Sequence, residues 1–151
     1  MNRFSKTVLL TGLFVGTTDI LSAFINSSVN SGHFPKEMFH YIAGAAIGIQ
    51  NGLHGGIWTN LLGLFFHYLI AYTATLLFFL ALPRVSVLRF NKYLIGMLYA
   101  VCVDLFITFA VLPLTPIGWP FDFARSFINW VILGCTLGIP IAYNAYRYYG
   151  Y

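Results

Sequence analysis

The sequence predicts an all-α membrane protein: a bundle of four transmembrane helices with a short re-entrant or interfacial helix between the first and second spans. Two observations predict it. Of 151 residues, 59% are hydrophobic and 8% charged, where a soluble domain carries about 45–50% and about 25%. Four apolar stretches, at about 7–28, 57–82, 93–113 and 122–146, are each near or above the roughly 20 residues that cross about 30 Å of hydrocarbon. Together they use most of the chain, which therefore reads as one transmembrane domain over 1–151 with no room for a soluble one.

The first stretch follows Met1–Lys6 and superficially resembles a signal peptide, but Asp19 interrupts the apolar run and no small-residue cleavage site follows closely. It reads as a retained helix. Between the first two spans, Pro35 suits a first helical position and Glu37 a first turn, which predicts a helix over about 35–49. That helix is too short to cross, yet Met38, Phe39, Ile42 and Ile47 are too apolar to be left in water. Pro113, Pro116, Gly118 and Pro120 end the third span and force a turn, with Asp122 placed to cap the fourth.

Six of the eight basic residues, Arg3, Lys6, Arg84, Arg89, Lys92 and Arg147, fall on one side of this arrangement. The other side has Lys36 and Arg125, each near an acid, Glu37 and Asp122. The positive-inside rule then places both termini and the 83–92 loop in the cytoplasm. The formal charge of +4 is scattered near helix ends, which suits membrane lipid headgroups and not nucleic acid. Trp58, Trp119, Tyr93, Tyr143, Tyr146, Tyr148 and Tyr149 gather near the same ends, as an interfacial belt would. Cys102 and Cys135 lie deep in spans without metal-ligand or redox spacing and read as buried small residues.

Membrane helices associate where small residues let backbones approach. Gly12 and Gly16 mark such a face in the first span; Gly44, Gly48 and Gly52 in the short helix; Gly63 in the second span; Gly96 and Ala100 in the third; Gly134 and Gly138 in the fourth. Packing within one bundle is one reading. The alternative is that the face of Gly134 and Gly138 joins two copies or a partner membrane protein.

These faces continue into polar residues at helical spacing: Gly12, Gly16, Asp19 and Asn26; Asn60, Gly63 and His67; Gly96, Asp104 and Thr108. Asp19, His67 and Asp104 each fall within about one turn of mid-span, so they could meet at one depth. A charge there costs about 2.5–3.5 kcal/mol on insertion scales, so such residues are usually paired, protonated or beside water, and suggest function. Asp19 or Asp104 beside His67 would form a protonatable pair, with Thr17, Thr18, Asn60, Tyr72, Tyr99 and Thr136 as candidate hydrogen-bond partners. The same residues would serve equally as polar glue between helices.

A metal site needs three or four converging ligands, and His33, His40 and His54 fall in the segment between the first two spans, away from His67. His54 and His67 are thirteen residues apart, roughly 20 Å along a continuous helix, too far to be two haem ligands. No metal or cofactor is expected. Nucleophile triads, His-Glu-x-x-His, P-loops and paired carboxylates are missing, so an enzyme has no support in the sequence.

Gly16, Thr17, Asp19 and Ile20, then Tyr41, Ile42 and Ala43, the pair Gly55 and Gly56, then Leu62, Gly63, His67, Ile70 and Ala71, and Val111 to Leu114 resemble a family of small bacterial four-helix transmembrane proteins. The resemblance implies a bundle in the inner (plasma) membrane and no particular activity. Asp104 stands outside its pattern, whereas Asp19 and His67 lie on it. Two functions follow as expectations: a proton-coupled carrier or channel for a small solute or cation, or a non-catalytic membrane subunit that assembles with itself or a partner. A carrier this small, without an inverted repeat, would call for a dimer. The subunit reading predicts that a bulky residue at Gly134 or Gly138 breaks complexes but not the isolated fold.

Overall fold

The computed structural model describes residues 2–116 and 123–151, and every regular element among them is helical. The first span is α1 (Arg3–Ser31). Asn2 starts it by accepting the Ser5 N–H on its side chain at 2.8 Å, and Gly32 ends it at φ 72° with its N–H on the Ser28 carbonyl. Next come α2 (Met38–Ile47) and α3 (Ile49–Leu53), then the second span, α4 (Ile57–Ala81). A 3-10 turn at Ser86–Arg89 leads to α5 (Lys92–Phe106), capped by Asn91, whose side chain accepts from Tyr93 and Leu94. A π turn (Ile107–Val111) and a 3-10 turn (Leu112–Leu114) prolong α5 into a third span, Lys92–Leu114. The fourth, Phe123–Tyr149, consists of α6 (Phe123–Leu133), a π turn (Gly134–Gly138) and α7 (Ile139–Tyr149). All four are long and apolar enough to cross a membrane.

Four consecutive spans return both termini to one end, where Arg3 stacks over Tyr148 and Tyr146 donates its hydroxyl to the Leu88 carbonyl. α1 packs on α4, the third span packs on the fourth, and the fourth also touches α1. The apolar core fills the half near the termini, with Val15, Phe78, Phe79, Leu82 and Ile141 fully enclosed. The outside is apolar too: Leu10, Phe14, Phe65, Leu77 and Phe106 are exposed, the inverted surface of a protein whose solvent is lipid.

Glycine sets how closely the spans meet. A Cβ on Gly138 would lie 2.9 Å from the Ala100 Cβ and closer still to the Gly96 carbonyl; one on Gly96 would lie 2.8 Å from the Gly138 oxygen. The two backbones touch. Gly12 and Gly16 lie under the rings of Tyr72 and Tyr68, Gly63 against the Phe39 main chain, and Gly134 under the Met97 thioether. Gly44 is buried against Gly52, whose own Cβ would sit 2.7 Å from the Gly44 Cα. Gly134 and Gly138 thus pack within the chain, the first of the two readings the sequence offered for them.

Several expectations need correction. The short helix begins at Met38 instead of Pro35, and it breaks at Gly48. Gly48 adopts φ 90°, a left-handed value that disfavours a side chain, and a Cβ there would meet only Asn51, at 3.9 Å. Its role is the bend and not packing. Cys102 and Cys135 face outward, exposed where lipid would be. Tyr146 is 5% exposed and Tyr149 donates its hydroxyl to the Phe79 carbonyl at 2.8 Å, so both tie helix ends together instead of joining a lipid-facing belt. Trp58, 80% exposed, fits the belt. Gly118, Trp119, Pro120 and the Asp122 cap lie outside the described residues.

The backbone contact at Gly138 makes a direct prediction. Gly138→Leu should cost at least the about 1–3 kcal/mol of an overpacked core, read as a lower thermal midpoint for the monodisperse gel-filtration peak in detergent. Gly56→Ala, where a Cβ meets nothing within 4 Å, should stay within about 0.5 kcal/mol of wild type.

Candidate functional site

Thr17 is the central residue of α1 and Thr136 that of the fourth span, while His67 lies two residues from the centre of α4. A polar junction forms where these three meet. The His67 Nε2 lies 2.8 Å from the Gly16 carbonyl. A carbonyl only accepts, so Nε2 carries the hydrogen and donates, which leaves Nδ1 as the basic nitrogen of the neutral ring. The missing side chain at Gly16 lets α4 pack close: a Cβ there would lie 2.8 Å from the Tyr68 ring and 3.3 Å from the Ala71 Cβ.

Asp19 stands one turn further along α1, and His67 is near enough to interact with its carboxylate electrostatically. The Thr136 hydroxyl donates to Asp19 Oδ1 at 3.3 Å, with the Ile132 carbonyl as a second acceptor at 3.0 Å. One hydroxyl proton thus has two acceptors, and Thr136 can release Asp19 without losing a partner.

Thr18 shows the same economy. Its hydroxyl reaches Phe14 and Val15 carbonyls in its own helix, at 3.0 and 3.1 Å, and the Thr136 carbonyl at 2.9 Å. Pro140 explains the last contact: it has no N–H, so the Thr136 carbonyl lacks the donor four residues on that a regular helix would supply. Around this centre, Thr17 bonds the Tyr68 hydroxyl at 2.8 Å and, toward the far end, the Asn26 amide reaches Asn129 at 3.4 Å. Tyr99 donates to the Ala74 carbonyl at 2.6 Å, bridging the second and third spans nearer the termini.

Of the residues singled out in the sequence, Asp19, His67, Thr18 and Thr136 come together. Asp104 does not join them. It lies at mid-span, but its Oδ2 accepts the Trp130 indole N–H at 2.8 Å and faces a separate cavity. Depth matched and direction did not, because the third span packs on the fourth and not on α1. Asn60 lies two turns, about 10 Å, from His67 along α4 and makes no side-chain hydrogen bond among the described residues. Tyr72 covers Gly12 and plays no part in the junction.

Sequence reasoning passed over Tyr68, Trp130 and Pro140. Ser126, Asn129 and Trp130 carried a signal: spaced three and one apart, they form one polar helical face inside an apolar span. His40 has both ring nitrogens buried without a hydrogen-bond partner among the described residues, and it stands in α2, apart from the junction. No group of three His, Cys, Asp or Glu converges among the described residues.

Thr18→Val should destabilise the bundle by about 0.6–1.7 kcal/mol, the range of hydrogen bonds between membrane helices. Pro140→Ala, by returning an N–H to the Thr136 carbonyl, should reduce that cost. A double-mutant cycle on unfolding in mixed micelles measures the coupling, and strict additivity would remove Pro140 from the explanation.

No family model matches the chain, and no curated protein or solved structure does so significantly.

Proposed function

We propose that the protein is a proton-coupled carrier or channel for a small solute or cation, acting in a bacterial inner membrane with both termini in the cytoplasm. The observation that carries this reading is the mid-span junction in which Asp19 accepts the Thr136 hydroxyl while His67, bound to the Gly16 carbonyl, stands within electrostatic reach of it, where charge is most costly. Asp19 takes up and releases the proton. His67 is held beside Asp19 by the Gly16 carbonyl through Nε2, and Thr136 switches between the Asp19 carboxylate and the Ile132 carbonyl as the charge changes. The six basic residues at the end holding the termini support the orientation through the positive-inside rule. A pathway across the membrane would be completed by a second copy, given the size of one bundle.

The alternative is an assembly subunit; the carrier reading is favoured over it because Gly134 and Gly138, the face such a subunit would use, contact Met97, Gly96 and Ala100 within the chain. Proton flux into proteoliposomes at fixed membrane potential separates the two functions. Wild type should conduct or exchange protons. Asp19→Asn and His67→Ala should each cut the flux at least tenfold while eluting as wild type on gel filtration. Absence of wild-type flux, or flux unchanged in Asp19→Asn, would sink the proposal.

A further inference from the structure

In the half of the bundle away from the termini, α2, α4, the third span and α6 line a half-open pocket of about 540 Å³. That volume lies within the roughly 300–1,000 Å³ of small-molecule sites. Asp104, Thr108, Thr115, Ser126, Asn129 and Tyr41 supply its polar groups, and Phe66 and Ile70 are typical of the rest of its wall, which is apolar. Among the described residues, no lysine, arginine or histidine lines it. Asp104 is its one acid there, held on Oδ2 by the Trp130 indole, while Oδ1 has no protein partner among the described residues.

A carboxylate at mid-span with a single neutral hydrogen bond is under-compensated, since a charge taken from water must be matched by an opposite one or by several donors. Among the described residues no cation lines the pocket and no second hydrogen bond reaches Asp104. A bound cation would supply the missing charge. A bare metal ion is a poor fit, because calcium or magnesium needs about six or more oxygen ligands in close array, and Asp104 is the one carboxylate lining the pocket among the described residues. An organic cation fits on both counts: its charge meets Asp104, its apolar body meets the wall, and the Phe66 ring in that wall favours positive charge at its face.

We propose that this cavity is a binding site for an organic monocation with an apolar, aromatic body, and that Asp104 is the residue that selects its charge. The site is separate from the Asp19 junction, and the inference does not rest on proton coupling.

The test uses two ions of one shape and opposite charge, tetraphenylphosphonium and tetraphenylborate, in equilibrium dialysis against the purified full-length protein, with empty micelles as the blank. Wild type should bind the phosphonium saturably and the borate at least tenfold more weakly. Asp104→Asn, which still accepts the Trp130 N–H, should weaken phosphonium binding at least tenfold. Asp104→Glu should keep the preference for the cation. Equal binding of the two ions by wild type would overturn the proposal even if the Asn variant failed to fold. So would phosphonium binding that is undiminished in a folded Asp104→Asn protein.

Discussion

The bundle depends on main chain meeting main chain without water. In hydrocarbon, helices gain little by burying apolar side chains against each other, so close backbone approach and satisfied polar groups hold the spans in place. Gly96 and Gly138 meet backbone to backbone and set the spacing of the third and fourth spans. Gly63 brings α2 against α4 through the Phe39 main chain. The short helix thereby lies beside the second span and becomes a wall of the Asp104 cavity instead of resting across the helix ends. Along the axis this gives three zones: an apolar core near the termini, a polar junction at mid-span, and a cavity beyond it.

The same constraint builds the junction. Gly16, whose carbonyl accepts from His67, has no side chain to hold off the Tyr68 ring of that same partner helix, and Pro140 leaves the Thr136 carbonyl to Thr18 because it has no N–H. The π turn at Gly134–Gly138 sits at this level, in the middle of the fourth span. π turns recur at functional sites because they displace side chains and carbonyls from regular helical register. Here the displaced register contains Thr136, whose hydroxyl and carbonyl serve Asp19 and Thr18 respectively. Two backbone irregularities thus make acceptors and donors available at a depth where neither would otherwise exist.

Fold class was legible because it rests on length and composition: four apolar stretches reappear as four spans, with ends moved by no more than four residues where caps such as Asn2 and Asn91 decide them. The depths of Asp19, His67 and Asp104 were legible for the same reason, since rise per residue is fixed. Direction was not. Helical periodicity places Asp104 on the face of Gly96, but which neighbour that face meets depends on how the spans are arranged, and the third span meets the fourth. Glycine was legible as a small residue and illegible as to function: Gly48 and Gly44 share one stripe in the sequence, yet one bends the chain and the other is packed. Cysteine and tyrosine misled in opposite senses, Cys102 and Cys135 facing out and Tyr146 facing in, because residue type alone does not say which side of a lipid-exposed helix is the inside.

The central claim is that Asp19 exchanges a proton at mid-membrane while Thr136 follows its charge. Infrared difference spectroscopy of the protein in bilayers, across a pH titration, addresses it most directly. The account predicts a reversible protonated-carboxyl band that disappears in Asp19→Asn and shifts in Thr136→Val, which removes the hydroxyl donor. A carboxyl band that survives Asp19→Asn unchanged, or a wild-type protein in which no carboxyl titrates, would contradict it.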